Sequence, residues 1–222
     1  EMIGILEQIN ILSHFANHTY VVDSKIKKAK NIVDLRFASK DLLNIIKSLQ
    51  AKGVKVNHIS NLIGQLNIKV YQKLYNLVLP VELQKGACLI VMGSEGRNEQ
   101  IIKTDQDNAL VVKDGIDVEQ YRPYMNEITK HLIDFGYPPC EGNIMVSNPF
   151  WCKTVSEYKN ETKRWIEAPD MQNYMDLAIF FDSFAVAGDK DLLINLKEDL
   201  FNKLQDKDVL MAYFAKATLT FV

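Results

Sequence analysis

Asp105 and Asp107 flank Gln106 at the entry to an apolar run, Ala109-Leu110-Val111-Val112. If that run is a strand, its period of two puts both carboxylates on one face, about 6 to 7 Å apart. At an effective dielectric near 20, two such charges repel by roughly 2 to 3 kcal/mol. A cation beside them removes that cost, and hard oxygen ligands suit Mg²⁺, with Mn²⁺ as the alternative. Aspartate is also depleted in strands, so its placement here works against local propensity in the way a functional site does.

A second group of residues precedes the pair. Gly93-Ser94 follows the apolar run Ala87-Cys88-Leu89-Ile90-Val91-Met92 and opens a polar stretch, Glu95-Gly96-Arg97-Asn98-Glu99-Gln100. A glycine at a strand-to-helix junction lets a phosphate approach the backbone, where exposed N–H groups and the helix dipole favour an anion. The Ser94 hydroxyl can donate to the same anion or cap the helix. Arg97 and Lys103 are near enough in sequence to neutralise phosphate charge, whereas Glu95, Asn98 and Glu99 read as helix surface or local hydrogen bonding. A lone Asp-x-Asp is most often a turn. Set between two apolar runs and after Gly-Ser, this one reads as a metal and phosphate site.

The elements that must hold these residues follow from periodicity. Leu35, Ala38, Leu42, Ile45, Ile46 and Leu49 repeat at helical spacing, as do Ile59, Leu62, Ile63, Leu66, Val70, Leu74 and Leu77, with Lys52-Gly53 between them and Pro80 at the end. Residues 87–92 and 109–112 read as buried strands, and 95–103 as a short helix and loop. Val118, Tyr121, Met125, Ile128, Leu132 and Phe135 form one helical face, stopped by Gly136 and Pro138-Pro139. Residues 143–146 are expected as a third strand. Helices are then expected over 151–167, over 171–186 up to Gly188, and along Leu193, Leu196, Leu200 and Leu204, with a last one from about Asp206. The predicted architecture is α+β, a small mixed sheet between two helical blocks, with a helical region at 1–79, a core at 80–150 and a helical region at 151–222.

Composition excludes several classes. The 222 residues are 47% hydrophobic and 24% charged, enough for a substantial core, and no stretch has the apolar length of a membrane span. Three cysteines without CxxC spacing suggest neither a disulfide framework nor a zinc knuckle, and a reducing cytosol fits them. The net charge of −2 conceals a basic first third and an acidic remainder. Lys25, Lys27, Lys28 and Lys30 form a basic run that reads first as a solvated helix face and second as a partner surface. A dedicated nucleic-acid binder would be far more basic. His14 and His18 share a helical spacing without a third ligand, and Trp151 and Trp165 read as packing anchors. The start at Glu1, with helical periodicity at once, suggests a piece of a longer protein.

The pattern Gly-Ser, Gly-x-Arg-x-Glu-Gln and Thr-Asp-Gln-Asp-Asn-Ala-Leu resembles the nucleotidyltransferase domains that bacterial signalling proteins carry fused to cyclic-nucleotide-binding or CBS domains. These are similar to the uridylyltransferase domain that modifies the PII regulatory protein, within the DNA polymerase beta superfamily. Gly142-Asn143-Ile144-Met145 with Asn148-Pro149-Phe150-Trp151, and Phe180-Phe181-Asp182 with Ala187-Gly188-Asp189, resemble the family's later motifs. The chain departs from the pattern at Ser183-Phe184, where the family has an arginine. The resemblance implies that Asp105 and Asp107 hold Mg²⁺ against an NTP whose outer phosphates lie on Gly93 and Ser94. A third carboxylate would complete the constellation, with Glu141 first and Asp182 second. The expected partners are an NTP, an acceptor such as a regulatory protein, and upstream regulatory domains, with no membrane and no nucleic acid. The alternative is a catalytically silent nucleotide sensor.

Overall fold

The computed structural model describes residues 19–51, 56–97, 105–168 and 170–205. His14, His18, Lys103 and the helix expected from Asp206 lie outside the described residues. Residues 19–28 are helical (α1) and precede two long amphipathic helices, α2 (Ile32–Ala51) and α3 (Val56–Val78). A short helix, α4 (Val81–Gln84), leads from Pro80 into β1 (Ala87–Val91). The four-residue α5 (Gly93–Gly96) follows, and β2 (Asn108–Val112) returns beside β1. Next come α6 (Arg122–Asp134), β3 (Cys152–Thr154), α7 (Val155–Glu167), α8 (Met171–Phe181), β4 (Phe184–Gly188) and α9 (Asp191–Leu204).

The four strands form one mixed sheet in the order β3-β2-β1-β4. β1 pairs antiparallel with both β2 and β4, and β2 pairs parallel with β3. Both central strands are buried at every position, and their alternation sorts the core in two. Ala87, Leu89, Val91, Leu110 and Val112 join a cluster with Leu35, Leu42, Ile63, Leu74 and Leu132 of α2, α3 and α6. Cys88, Ile90, Ala109 and Val111 join Tyr158, Trp165, Leu177, Phe180 and Leu196 of α7, α8 and α9. The sheet is thus a wall between two helical blocks, as the α+β reading requires. Trp151 and Trp165 are packing residues, with centroids 6.1 Å apart.

Three element expectations are corrected. Residues 143–146 are not a strand: Asn143 has φ 54°, so the chain turns there, although Ile144 O still accepts from Asn108 N at 3.1 Å. The third strand instead lies at 152–154, where α7 was expected to have begun. The helix expected over 171–186 ends at Phe181, and Phe184–Gly188 crosses beside β1. Lys25, Lys27, Lys28 and Lys30 are all exposed, as a solvated face requires, with Lys25 paired to Asp41 and Lys27, like Lys69 of α3, paired to Asp23. No helix among the described residues is long and apolar enough to cross a membrane.

β4 reaches its place only through a glycine. Gly188 has φ 82°, and a Cβ there would lie 2.0 Å from Ala87 O of β1. Gly188→Ala is expected to cost at least about 2 kcal/mol, since an L side chain is strained at that angle and must also push β1 away. A thermal melt should show a loss of about 4 to 8 °C. An unchanged melt would mean that β4 is not docked in this way.

Candidate active site

The strand period does at residues 105–108 what the spacing predicts. Asp105 is exposed and Asp107 half-buried on one side, while Gln106 and Asn108 are both fully buried on the other. The two amides are tied into the core. Gln106 N donates to Pro138 O at 3.0 Å, and its Nε2 donates to Tyr137 O at 3.4 Å. Asn108 Nδ2 donates to Gln106 Oε1 at 3.4 Å, and its Oδ1 accepts from Val146 N at 2.8 Å. Buried amides satisfied on both sides resist rotation of the strand. Asp105 and Asp107 are therefore turned outward on a fixed backbone.

A third residue meets the pair. Ligand atoms of Asp105, Asp107 and Cys140 lie within 4.8 Å of one another, closer than the strand repeat alone suggests because the side chains converge. Cys140 is carried in by the parallel bridge between Gln106 and Pro139, and its thiol donates to the Asp107 carboxylate. Burial pushes Asp107 up to about 6; the Cys140 hydrogen bond opposes this and the Asp105 charge adds to it. The thiol itself is pushed up to about 11, chiefly by burial. Asp107 Oδ1 is enclosed without a hydrogen-bond partner among the described residues. An enclosed carboxylate oxygen with an unused lone pair beside a second carboxylate is a fit for a hard divalent cation.

α5 is pressed against the same carboxylates. Met92 N donates to Asp107 O at 2.9 Å, which sets Gly93 opposite Asp107. Gly93 has φ 55°, and a Cβ on it would lie 3.1 Å from Asp107 Oδ2, so only glycine is free of strain there. Ser94 follows, half-buried. Arg97, just past the end of α5, is ion-paired with Asp182 at the end of α8. The packing is close: a Cβ on Gly96 would meet Asp182 O at 2.0 Å. Asp182, the second candidate for a third carboxylate, is engaged by Arg97, and Glu141, the first, is exposed.

Glu95, read as helix surface or local hydrogen bonding, is instead bonded to a residue distant in sequence. Its Oε2 accepts from the buried Tyr71 hydroxyl of α3 at 3.0 Å, and its Oε1 is enclosed without a partner among the described residues. Burial raises the carboxyl to about 8; the Tyr71 bond opposes this, and the charges of Asp107 and Asp105 add to it. Tyr71 packs edge-on to Tyr137 with centroids 5.8 Å apart, and Tyr137 donates to Asn67 Oδ1 of α3 at 2.6 Å. The site is thereby joined to the N-terminal helices by buried polar contacts. Glu95 and Cys140 are the two site residues that sequence reasoning missed.

The sign of the Glu95 effect on stability follows from its raised value. Folded Glu95 keeps its proton to about pH 8, while the unfolded side chain loses it near 4.5. Between those values the native state binds more protons, so its stability falls as pH rises, by at most about 1.4 kcal/mol per pH unit. Glu95→Gln should flatten that fall, because a neutral amide still accepts from Tyr71. Urea midpoints of both proteins at pH 5 and pH 8.5, without divalent cations, measure it. Parallel pH slopes would mean that Glu95 is solvated.

The model of the family described as Putative nucleotidyltransferase DUF294 matches residues 40–172, more than half of the chain. The match runs from α2 to the start of α8 and includes β1, β2, Cys140 and both aspartates. No curated protein and no solved structure matched the chain.

Proposed function

Since the chain belongs to the Putative nucleotidyltransferase DUF294 family, we propose that it moves a nucleoside monophosphate from an NTP to a hydroxyl of a protein or small molecule, as part of a signalling protein. The observation that carries this reading is the convergence of Asp105 and Asp107 against Gly93, with an Asp107 oxygen enclosed and without a hydrogen-bond partner among the described residues. Asp105 and Asp107 would hold Mg²⁺, and Mn²⁺ satisfies the same oxygen donors. The bound cation would neutralise triphosphate charge and polarise the α-phosphate.

The chain's own residues supply position. Gly93 leaves room for a phosphate oxygen beside the backbone, and Ser94 can donate a hydrogen bond to it. Arg97, at the end of α5 and ion-paired with Asp182, is the nearest described guanidinium in sequence to this turn and could add to phosphate neutralisation on leaving that pair. The lattice at Gln106 and Asn108 keeps both aspartates oriented, so little reorganisation accompanies binding. In the transfer, the acceptor oxygen bonds to the α-phosphorus as the bond to the β-phosphate bridging oxygen breaks and pyrophosphate leaves. The hydroxyl proton needs a base.

That base is where a second reading gains support. Of the two candidates, Asp182 is paired with Arg97 and Glu141 is exposed, while the side chain meeting the pair is a thiol held well above neutrality. A site that binds Mg-nucleotide and leaves it intact, as a sensor does, accords with this arrangement.

Thermal unfolding with each NTP, with and without Mg²⁺, tests the site. A nucleotide at about 100 times its Kd stabilises by about 2.7 kcal/mol, which raises the melt by about 5 to 10 °C. The rise should need Mg²⁺ and disappear in the Asp105→Asn, Asp107→Asn double variant. Pyrophosphate release with candidate acceptors then separates an enzyme from a sensor. No shift with any nucleotide overturns both.

A further inference from the structure

The ligand set at the carboxylate pair is not purely hard. Mg²⁺ takes oxygen ligands and retains several waters, so it has no use for Cys140. A tetrahedral cation of the Zn²⁺ class bonds carboxylate oxygen at about 2.0 to 2.2 Å and thiolate sulfur at about 2.3 Å, which puts its ligands roughly 3.3 to 3.8 Å from one another. Asp105, Asp107 and Cys140 already have their ligand atoms within 4.8 Å, so small side-chain rotations close the set. Two further observations point the same way. The enclosed Asp107 Oδ1 has no partner among the described residues. Cys140 is also set apart from the other two cysteines, since Cys88 and Cys152 are buried in the core and Cys140 is partly exposed.

We propose that Asp105, Asp107 and Cys140 form a three-ligand site for a thiophilic divalent cation, which competes with the hard cation for the same two carboxylates. It uses the carboxylate pair of the functional reading above and adds the sulfur. On binding, the Sγ–H bond breaks, the proton passes to solvent, and the sulfur lone pair bonds the metal. Three protein ligands leave at least a fourth position open for water or a phosphate oxygen. A cation so held blocks Mg²⁺ from the pair, and the site becomes sensitive to the availability of such metals.

The test is a Cd²⁺ titration of the full chain without Mg²⁺ or nucleotide, followed by sulfur-to-cadmium charge-transfer absorption in the ultraviolet. Wild type should saturate at one equivalent, and Zn²⁺ should remove the band. Cys140→Ser should abolish it, with Cys140→Ala as a second variant and melting curves to show that each is folded. Asp107→Asn should weaken Cd²⁺ by at least the roughly 10- to 100-fold that even an outer partner of a metal ligand is worth. No band in wild type, a band that survives Cys140→Ser, or one indifferent to Asp107→Asn overturns the assignment. The Mg²⁺-dependent NTP shift of wild type is measured in parallel. A shift without a Cd²⁺ band defeats this inference alone, and a band without a shift defeats the nucleotide reading alone.

Discussion

The site depends on one constraint: two carboxylates are held side by side at the entry to a buried strand. Their repulsion, roughly 2 to 3 kcal/mol at the spacing of a strand repeat, would splay the chain if the backbone were free to turn. It is not free, because Gln106 and Asn108 point the other way into the core and their amides are bonded to Tyr137 O, Val146 N and each other. Turning an aspartate away would drag a fully buried amide from its partners, at about 1 to 3 kcal/mol per group left unsatisfied. The polar side of the strand therefore opposes the electrostatic strain on its other side.

Glycines set the remaining distances. Gly93 lets the chain turn against Asp107, Gly96 lets α5 touch the end of α8 at Asp182, and Gly188 lets β4 lie on β1. Each removes a Cβ where two backbones, or a backbone and a carboxylate, must approach. Because these contacts reach α8 and β4 from one side, and Tyr71 reaches Glu95 from the other, both helical blocks touch the residues around the aspartates. A displacement of either block would be felt at α5 through packing rather than through any change in the strands.

The parts legible in the sequence were those with a long or strict period. α2, α3, α6 and α9 show their apolar stripes, and β1 and β2 stand out as apolar runs between polar segments. β3 has three residues, too few to show a period. β4, Phe-Ala-Val-Ala-Gly, follows an apolar helix so closely that its terminal glycine reads as the helix stop. The aspartate pair was visible because its chemistry is written in adjacent residues. Cys140 was not, since a lone cysteine carries no spacing signal and it reaches Asp107 through the pairing of Gln106 with Pro139. Glu95 was misplaced because a charged residue in a polar stretch looks solvated, and only the fold brings Tyr71 to it.

Glu95 also shows why the charge at this site is conditional. With no cation present, a third ionised carboxyl beside Asp105 and Asp107 would add repulsion in an enclosed place, and the side chain keeps its proton up to about pH 8 instead. A divalent charge on the aspartates reverses the sign of that field and favours the ionised form. The Tyr71 hydroxyl, which donates to Glu95, makes a stronger bond to a carboxylate than to a carboxylic acid. A cation at the aspartates would thus strengthen the Tyr71–Glu95 hydrogen bond that ties α5 to α3.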